Sequence, residues 1–212
     1  MRVFVLLVIV GAFSIYEDTD CKGGIMHHIN HTLFLDAYAK SLVLPKLNSA
    51  TTMGVNQLLS FIEADPCIND LRWGAYLLAT ALWETGHTYF PIAEYGRGDG
   101  HPYGKPAANG QIYYGRGYVQ LTWEDNYKLM SQLLGVNLLD DPDLALVPEH
   151  AYKIMSIGMR CGDFTGVNLH RFIDDDSCDY VNARRIINGR DQAERIAGYA
   201  VSIHDALYGA VI

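Results

Sequence analysis

The sequence predicts a mainly α-helical single domain interrupted by one elaborate loop, and three observations carry that expectation. Segments with apolar residues at spacings of three and four follow one another along most of the chain. One of them, Trp73 to Trp83, is apolar on nearly every side, the mark of a helix buried all round. Between Tyr89 and Gly115 glycines and prolines cluster and the periodicity stops, and a loop that long inside a compact domain is usually functional. No internal repeat and no inter-domain linker divides the folded region.

Taken in order, Thr32 to Val43 reads as a short amphipathic helix carrying Leu33, Leu35, Ala37 and Tyr38. Asn48 or Ser49 caps a second helix with Met53, Val55, Leu58, Leu59 and Ile62, and Asp65-Pro66 stops it. Asn69 or Asp70 caps the buried helix, which runs to about Glu84. The loop Tyr89 to Gly115 includes a candidate hairpin at Asn109-Gly110. Helical spacing resumes from Tyr118 to Leu134, Val147-Pro148-Glu149 opens another helix, and Tyr180 to Ile187 and Asp191 to Leu207 complete the set.

Half of the 212 residues are hydrophobic, enough for a core. The formal net charge of −8 argues against nucleic acid as a partner, because phosphate binding needs a basic face. At the N-terminus, Arg2 precedes an apolar run from Val3 to Phe13 that is too short for a membrane span and fits a secretory leader, residues 1–14, with cleavage after Ser14. An uncleaved membrane anchor, or a start at Met26, is the other reading. Residues 15–25 read as a linker and 26–212 as the folded domain. The protein is therefore expected to be secreted and monomeric.

Four cysteines occur without a CxxC pair, which argues against a zinc ribbon. Secretion would permit two disulfides; Cys161–Cys178 is the favoured pair and Cys21–Cys67 follows by elimination, although sequence leaves three pairings open. Asn30-His31-Thr32 is a glycosylation sequon. His27, His28 and His31 have no matching carboxylate or cysteine nearby in sequence, so no metal and no cofactor is expected.

The chemistry is concentrated between Leu78 and Tyr127. Glu84 ends the face Leu77, Thr80, Ala81 of the buried helix. Desolvation there would disfavour the charged form, as a general acid requires; a bland alternative is a helix-end glutamate that reaches water or pairs with an arginine. Glu94 stands ten residues on, in the loop, as the second carboxylate of a glycosidase pair or as the partner of Arg97 or Arg116. Gly115-Arg116-Gly117 lacks the pattern of a phosphate loop. Gln120, Thr122 and Asn126 follow it at spacings that would put them on one side of a helix start. Their amides and hydroxyl suit sugar hydroxyls and N-acetyl groups, or equally caps and structural hydrogen bonds.

The strings ALWETGHTYFPIAEYGRG at 81–98, YYGRGYVQLTWEDNY at 113–127 and VNARRIINGRDQAERIAGYA at 181–200 resemble glycoside hydrolase family 19, the plant-type chitinases with their bacterial and phage endolysin relatives. The compact layout is closer to the endolysin branch. The resemblance implies a lysozyme-like, two-lobed fold, a polysaccharide partner (chitin or peptidoglycan) and inverting hydrolysis of β-1,4-linked N-acetylglucosamine polymers. It implies Glu84 as general acid, Glu94 as general base, Thr122 holding the attacking water, and Gln120, Asn126 and Asn188 lining the cleft. It further implies Arg116 ordering the carboxylates, and leaves the contact of Arg190 open. A catalytically silent carbohydrate-binding protein is the alternative from another class.

Overall fold

The computed structural model describes residues 28–212. The expected leader and linker lie outside them, as do Cys21, Met26 and His27. The fold is mainly α-helical, as the periodicity requires. Helix α1, His31–Lys40, starts where the Asn30 side chain accepts the Leu33 N–H. Helix α2, Ser49–Glu63, starts on a reciprocal capping box between Asn48 and Thr51 and stops just before Asp65-Pro66. Helix α3, Leu71–Glu84, starts on Asp70, whose side chain accepts the Arg72 N–H.

Every residue of α3 from Gly74 to Leu82 is buried, which accounts for its apolar character on all sides. Its main packing partner is α7, Ala193–Tyr208, which also covers α1 and the short α6, Tyr180–Ala183. Two further helices, α4 (Glu124–Leu134) and α5 (Pro148–Cys161), complete the frame. Helix α5 begins on Pro148, whose missing N–H costs nothing there, and ends on Gly162 in the left-handed conformation.

The loop after α3 is anchored at its start. Gly54 of α2 lies so close to Tyr89 that an added Cβ would sit 2.8 Å from the Tyr89 carbonyl oxygen, and the buried Tyr89 hydroxyl meets that of Tyr38 at 3.1 Å. The loop then forms β1, Ile92–Ala93, antiparallel to β2, Arg116–Gly117, with Ile92 opposite Gly117 and Ala93 opposite Arg116. This two-stranded clasp fixes both ends of the irregular stretch.

Three local expectations are corrected. No strands flank Asn109-Gly110: Ala107 N–H donates to Gln111 O and Gly110 N–H to Ala107 O, which closes a turn only. Tyr118 to Trp123 is not helical. Gln120 and Trp123 have φ of 55° and 75°, and Arg116 and Leu121 exchange backbone hydrogen bonds across a tight turn, so α4 begins at Glu124. Cys161 and Cys178 are not bonded to each other. Backbone pairing with Ile173 turns Cys178 toward Tyr180 and Arg72, whereas Cys161 ends α5. The pairing expected for Cys67 involves Cys21, outside the described residues.

Candidate active site

Glu84 stands at the last turn of α3 with its side chain 17% exposed. It is not an isolated carboxylate in an apolar pocket. Arg184, 2% exposed, donates from Nη1 to Glu84 Oε1 at 2.5 Å and from Nε to the Asp191 carbonyl oxygen at 3.0 Å. The arginine pairing that the sequence allowed is thus the observed state, and its partner lies in the segment 181–200. Glu84 Oε2 takes no hydrogen bond among the described residues. Two turns and one turn back along the same face, the Tyr76 hydroxyl and the Thr80 hydroxyl are buried without a partner. Burial drives the Tyr76 phenol far above its ordinary ionisation range, against the pull of Arg184.

Glu94 follows β1 directly and is 4% exposed. Its carboxylate is held from two sides. The Tyr103 hydroxyl donates to Oε1 at 2.8 Å and the Gly115 N–H donates to Oε2 at 3.0 Å. Its backbone N–H in turn donates to Gly115 O at 2.7 Å. Neither Arg97 nor Arg116 reaches the carboxylate; Arg97 only donates its backbone N–H to the Glu94 carbonyl oxygen.

Arg116, 4% exposed, orders the turn rather than the carboxylates. Its Nε donates to Asp143 at 2.8 Å, and its Nη1 reaches Ile112 O, Tyr114 O and the Tyr127 hydroxyl at 3.0, 3.3 and 3.0 Å. The guanidinium lies 3.5 Å from the centroid of the Tyr114 ring. The physical reason is the direction of β2: its pairing with β1 turns the Arg116 side chain toward α4 and the segment before α5, away from the end of α3.

The turn Arg116–Leu121 brings Gln120 beside Glu94 even though it precedes α4. A Cβ on Gly115 would meet Gln120 Oε1 at 3.0 Å and Glu94 Cβ at 3.4 Å, so these three residues converge and a larger residue at 115 would crowd Gln120. Gln120 donates to Ile92 O and Gly117 O, Thr122 to Gln120 O at 2.7 Å, and Asn126 to Thr122 O at 2.7 Å. Their donor groups therefore serve the backbone, as the bland reading of each allowed. Asn188 is half-buried; its N–H donates to the carbonyl of Arg184, which places it next to the Glu84 pair. Arg190 lines a cavity of about 510 Å³ with Val181, Gln192, Ala193, Glu194 and Arg195.

The sequence reading missed two residues. Arg184 carried a signal: it shares the side of Tyr180 and Ile187 in a helical register, and an arginine on a buried face demands a carboxylate. Tyr103 carried none, since nothing local places a loop tyrosine against Glu94. One negative expectation also changes. His28 and His31 do find a carboxylate, Glu63 of α2, at 3.2 and 3.1 Å. Among the described residues no group of three histidine, cysteine, aspartate or glutamate side chains is arranged to hold a metal.

This is a helical, lysozyme-like fold with Glu84 at the end of α3 and Glu94 directly after β1. The solved chains it resembles share that fold: chitinase C from Streptomyces griseus superposes with a TM-score of 0.59 at 22% identity, covering 86% of this chain and 78% of that one. A class IV chitinase from Zea mays gives 0.52 at 24% identity, covering 84% and 92%. Residues 91–156 match the glycoside hydrolase family 19 model, described as chitinase class I, so the resemblance drawn from the motifs holds. Basic endochitinase B of Arabidopsis thaliana is 54% identical over 39 residues, and so is inactive chitinase-like protein 1 of Hevea brasiliensis. In both cases the match spans 18% of this chain and 12% of the relative.

Proposed function

We propose that this chain is a glycosidase that hydrolyses β-1,4 bonds in N-acetylglucosamine polymers, with chitin as substrate, Glu84 as general acid and Glu94 as general base. The observation that carries the reading is the contrast between the two carboxylates. Glu84 is partly exposed and pinned by Arg184 through one oxygen, so Oε2 is the oxygen left to give a proton to the leaving glycosidic oxygen. Glu94 is buried and accepts two hydrogen bonds, one on each oxygen, which hold the carboxylate in a fixed orientation, as a general base that receives a proton from a positioned water requires. Two carboxyl groups with opposed tasks are what an inverting glycosidase needs. The names of the relatives support chitin over peptidoglycan.

In this reading Thr122 orients the water beside Glu94, and Gln120, Asn126 and Asn188 line the cleft with the polar atoms that their backbone hydrogen bonds leave over. Arg116 acts on the substrate only through the shape of the turn. Secretion and a monomeric state remain part of the proposal; among the described residues no helix is long and apolar enough to cross a membrane.

One observation favours a second reading. The family match begins at residue 91 and so includes Glu94 but not Glu84, and one relative of equal identity is named inactive. A silent carbohydrate-binding protein would fit these facts. The deciding experiment is reducing-end release from a soluble chitin derivative and from purified peptidoglycan, with Glu84→Gln beside the parent. Loss of a positioned acid reduces the rate by about 10²–10⁴-fold. Cleavage of peptidoglycan alone would change the substrate. Binding without turnover by the parent would replace the enzyme reading by the second one.

A further inference from the structure

We infer that Tyr103 is a positioning residue for Glu94, delivered to it by a loop that glycines 98 and 104 close upon itself; the inference rests on the reading of Glu94 as general base. The segment from Glu94 to Gly104 leaves the clasp and must come back within hydrogen-bond reach of the same carboxylate. It does so at the Gly98–Gly104 crossing. A Cβ on Gly104 would lie 1.8 Å from the Gly98 carbonyl oxygen, and a Cβ on Gly98 would lie 2.7 Å from the Gly104 Cα. Gly98 also has φ of 80°, where a side chain is strained. Only two glycines permit this approach, and its effect is to fold Tyr103 inward.

Tyr103 itself is 4% exposed and held on both sides. The His101 ring stacks on it, with centroids 4.9 Å apart and planes within 5°, and Trp123 meets it edge-on at 5.4 Å. Its hydroxyl has one bond, to Glu94 Oε1. Burial and the carboxylate together push the phenol far above its ordinary ionisation range, so at neutral pH it is a donor. With Gly115 N–H on Oε2, the two donors fix both oxygens of Glu94. Trp123 is the residue immediately before α4, so the turn that carries Gln120 and Thr122 is packed on the same tyrosine. A single phenol thus ties the carboxylate to the water-orienting turn.

The test uses Tyr103→Phe, which keeps the ring packing and removes the hydroxyl, with Gly104→Ala as an independent way of displacing Tyr103. Amide hydrogen exchange reads the anchoring without reference to catalysis. Gly115 N–H, whose acceptor is Glu94 Oε2, exchanges about tenfold faster in Tyr103→Phe, while the Arg116 and Leu121 amides, paired to each other's carbonyls, do not change. In the same variants kcat on soluble chitin oligomers falls about tenfold with KM within twofold, because a misplaced base affects the chemical step rather than binding. Unchanged exchange at Gly115 overturns the anchoring. Faster exchange with unchanged kcat shows that Tyr103 anchors a carboxylate the reaction does not use, which overturns the positioning role. A parent that cuts no glycan, with the exchange result as expected, fails the glycosidase reading and leaves the anchor as a structural device only.

Discussion

Arg184 Nη1 donates to Glu84 Oε1 at 2.5 Å across 100 residues of sequence. The pair joins the end of the central helix to the junction between α6 and α7. Arg184 is anchored a second time by the Asp191 carbonyl, so it acts as a fixed post and not as a mobile counter-ion. Removing one partner of a buried pair leaves the other uncompensated, at a cost of about 3 kcal/mol. Arg184→Met should therefore lower thermal stability markedly and reduce kcat on chitin oligomers by about 10²-fold or more, as Glu84 loses its orientation. Glu84→Gln keeps an acceptor oxygen for Arg184 but removes the charge that compensates it, so it should also lower the melting temperature, by less than Arg184→Met does. Calorimetry on the two variants separates the structural and the chemical contributions.

Arg116→Lys should destabilise by about 2 kcal/mol although it keeps the charge. An ammonium cannot serve Asp143, Ile112 O, Tyr114 O and Tyr127 from one planar fork, nor stack on Tyr114. Urea denaturation measures the loss. A variant as stable as the parent would mean that the turn is held by its backbone pairing alone.

Asp163, just past the end of α5, is the carboxyl that folding disfavours most clearly. Burial pushes it up to about 6, with Arg160 opposing, and its Oδ2 is buried without a partner. A carboxyl raised in the folded state binds its proton more tightly there, so its contribution to stability is fully present below its unfolded value near 4 and is lost as the pH rises through about 6. Asp163→Asn should stabilise the protein at pH 7.5 by about 1–2 kcal/mol, after allowance for solvent screening, and bring no gain at pH 4. Denaturation midpoints at the two pH values check the sign.

Glu63 shows the opposite sign. Burial raises it, but hydrogen bonds from the Ile29 N–H, His28 and His31 together outweigh that and hold it below the ordinary carboxylate range. Its contribution is present above about 4.5 and is lost as the pH falls through the folded value. Glu63→Gln should cost about 1 kcal/mol at pH 7 and accelerate exchange of the Ile29 amide, because this carboxylate ties the start of the described chain to α2.

Much of the helical frame was legible because its signals are local. Asn48, Asp70 and Pro148 mark helix starts through the chemistry of unsatisfied N–H groups, and they do so in the structure. The uniform apolarity of α3 announced its burial in the same way. The region from Tyr118 to Trp123 was misread as helix because its residues have helical spacing, whereas the left-handed backbone at Gln120 and Trp123 is imposed by the Arg116–Leu121 pairing. Cys161 and Cys178 looked like partners because they bracket a loop. Bond formation depends on where the two side chains face, and spacing does not contain that.

The sequence by itself determined which residues are candidates for the proposed site: Glu84 at the end of an apolar face, Glu94 in a loop, and the polar run that follows Gly115. Only the tertiary structure decided what holds them. Arg184 comes to Glu84 from 100 residues away, and Tyr103 returns to Glu94 through a glycine crossing. Hydrogen-bond partners of buried groups are selected by the packing of whole elements, and the direction of a side chain is known only once its helix or strand has been placed against its neighbours.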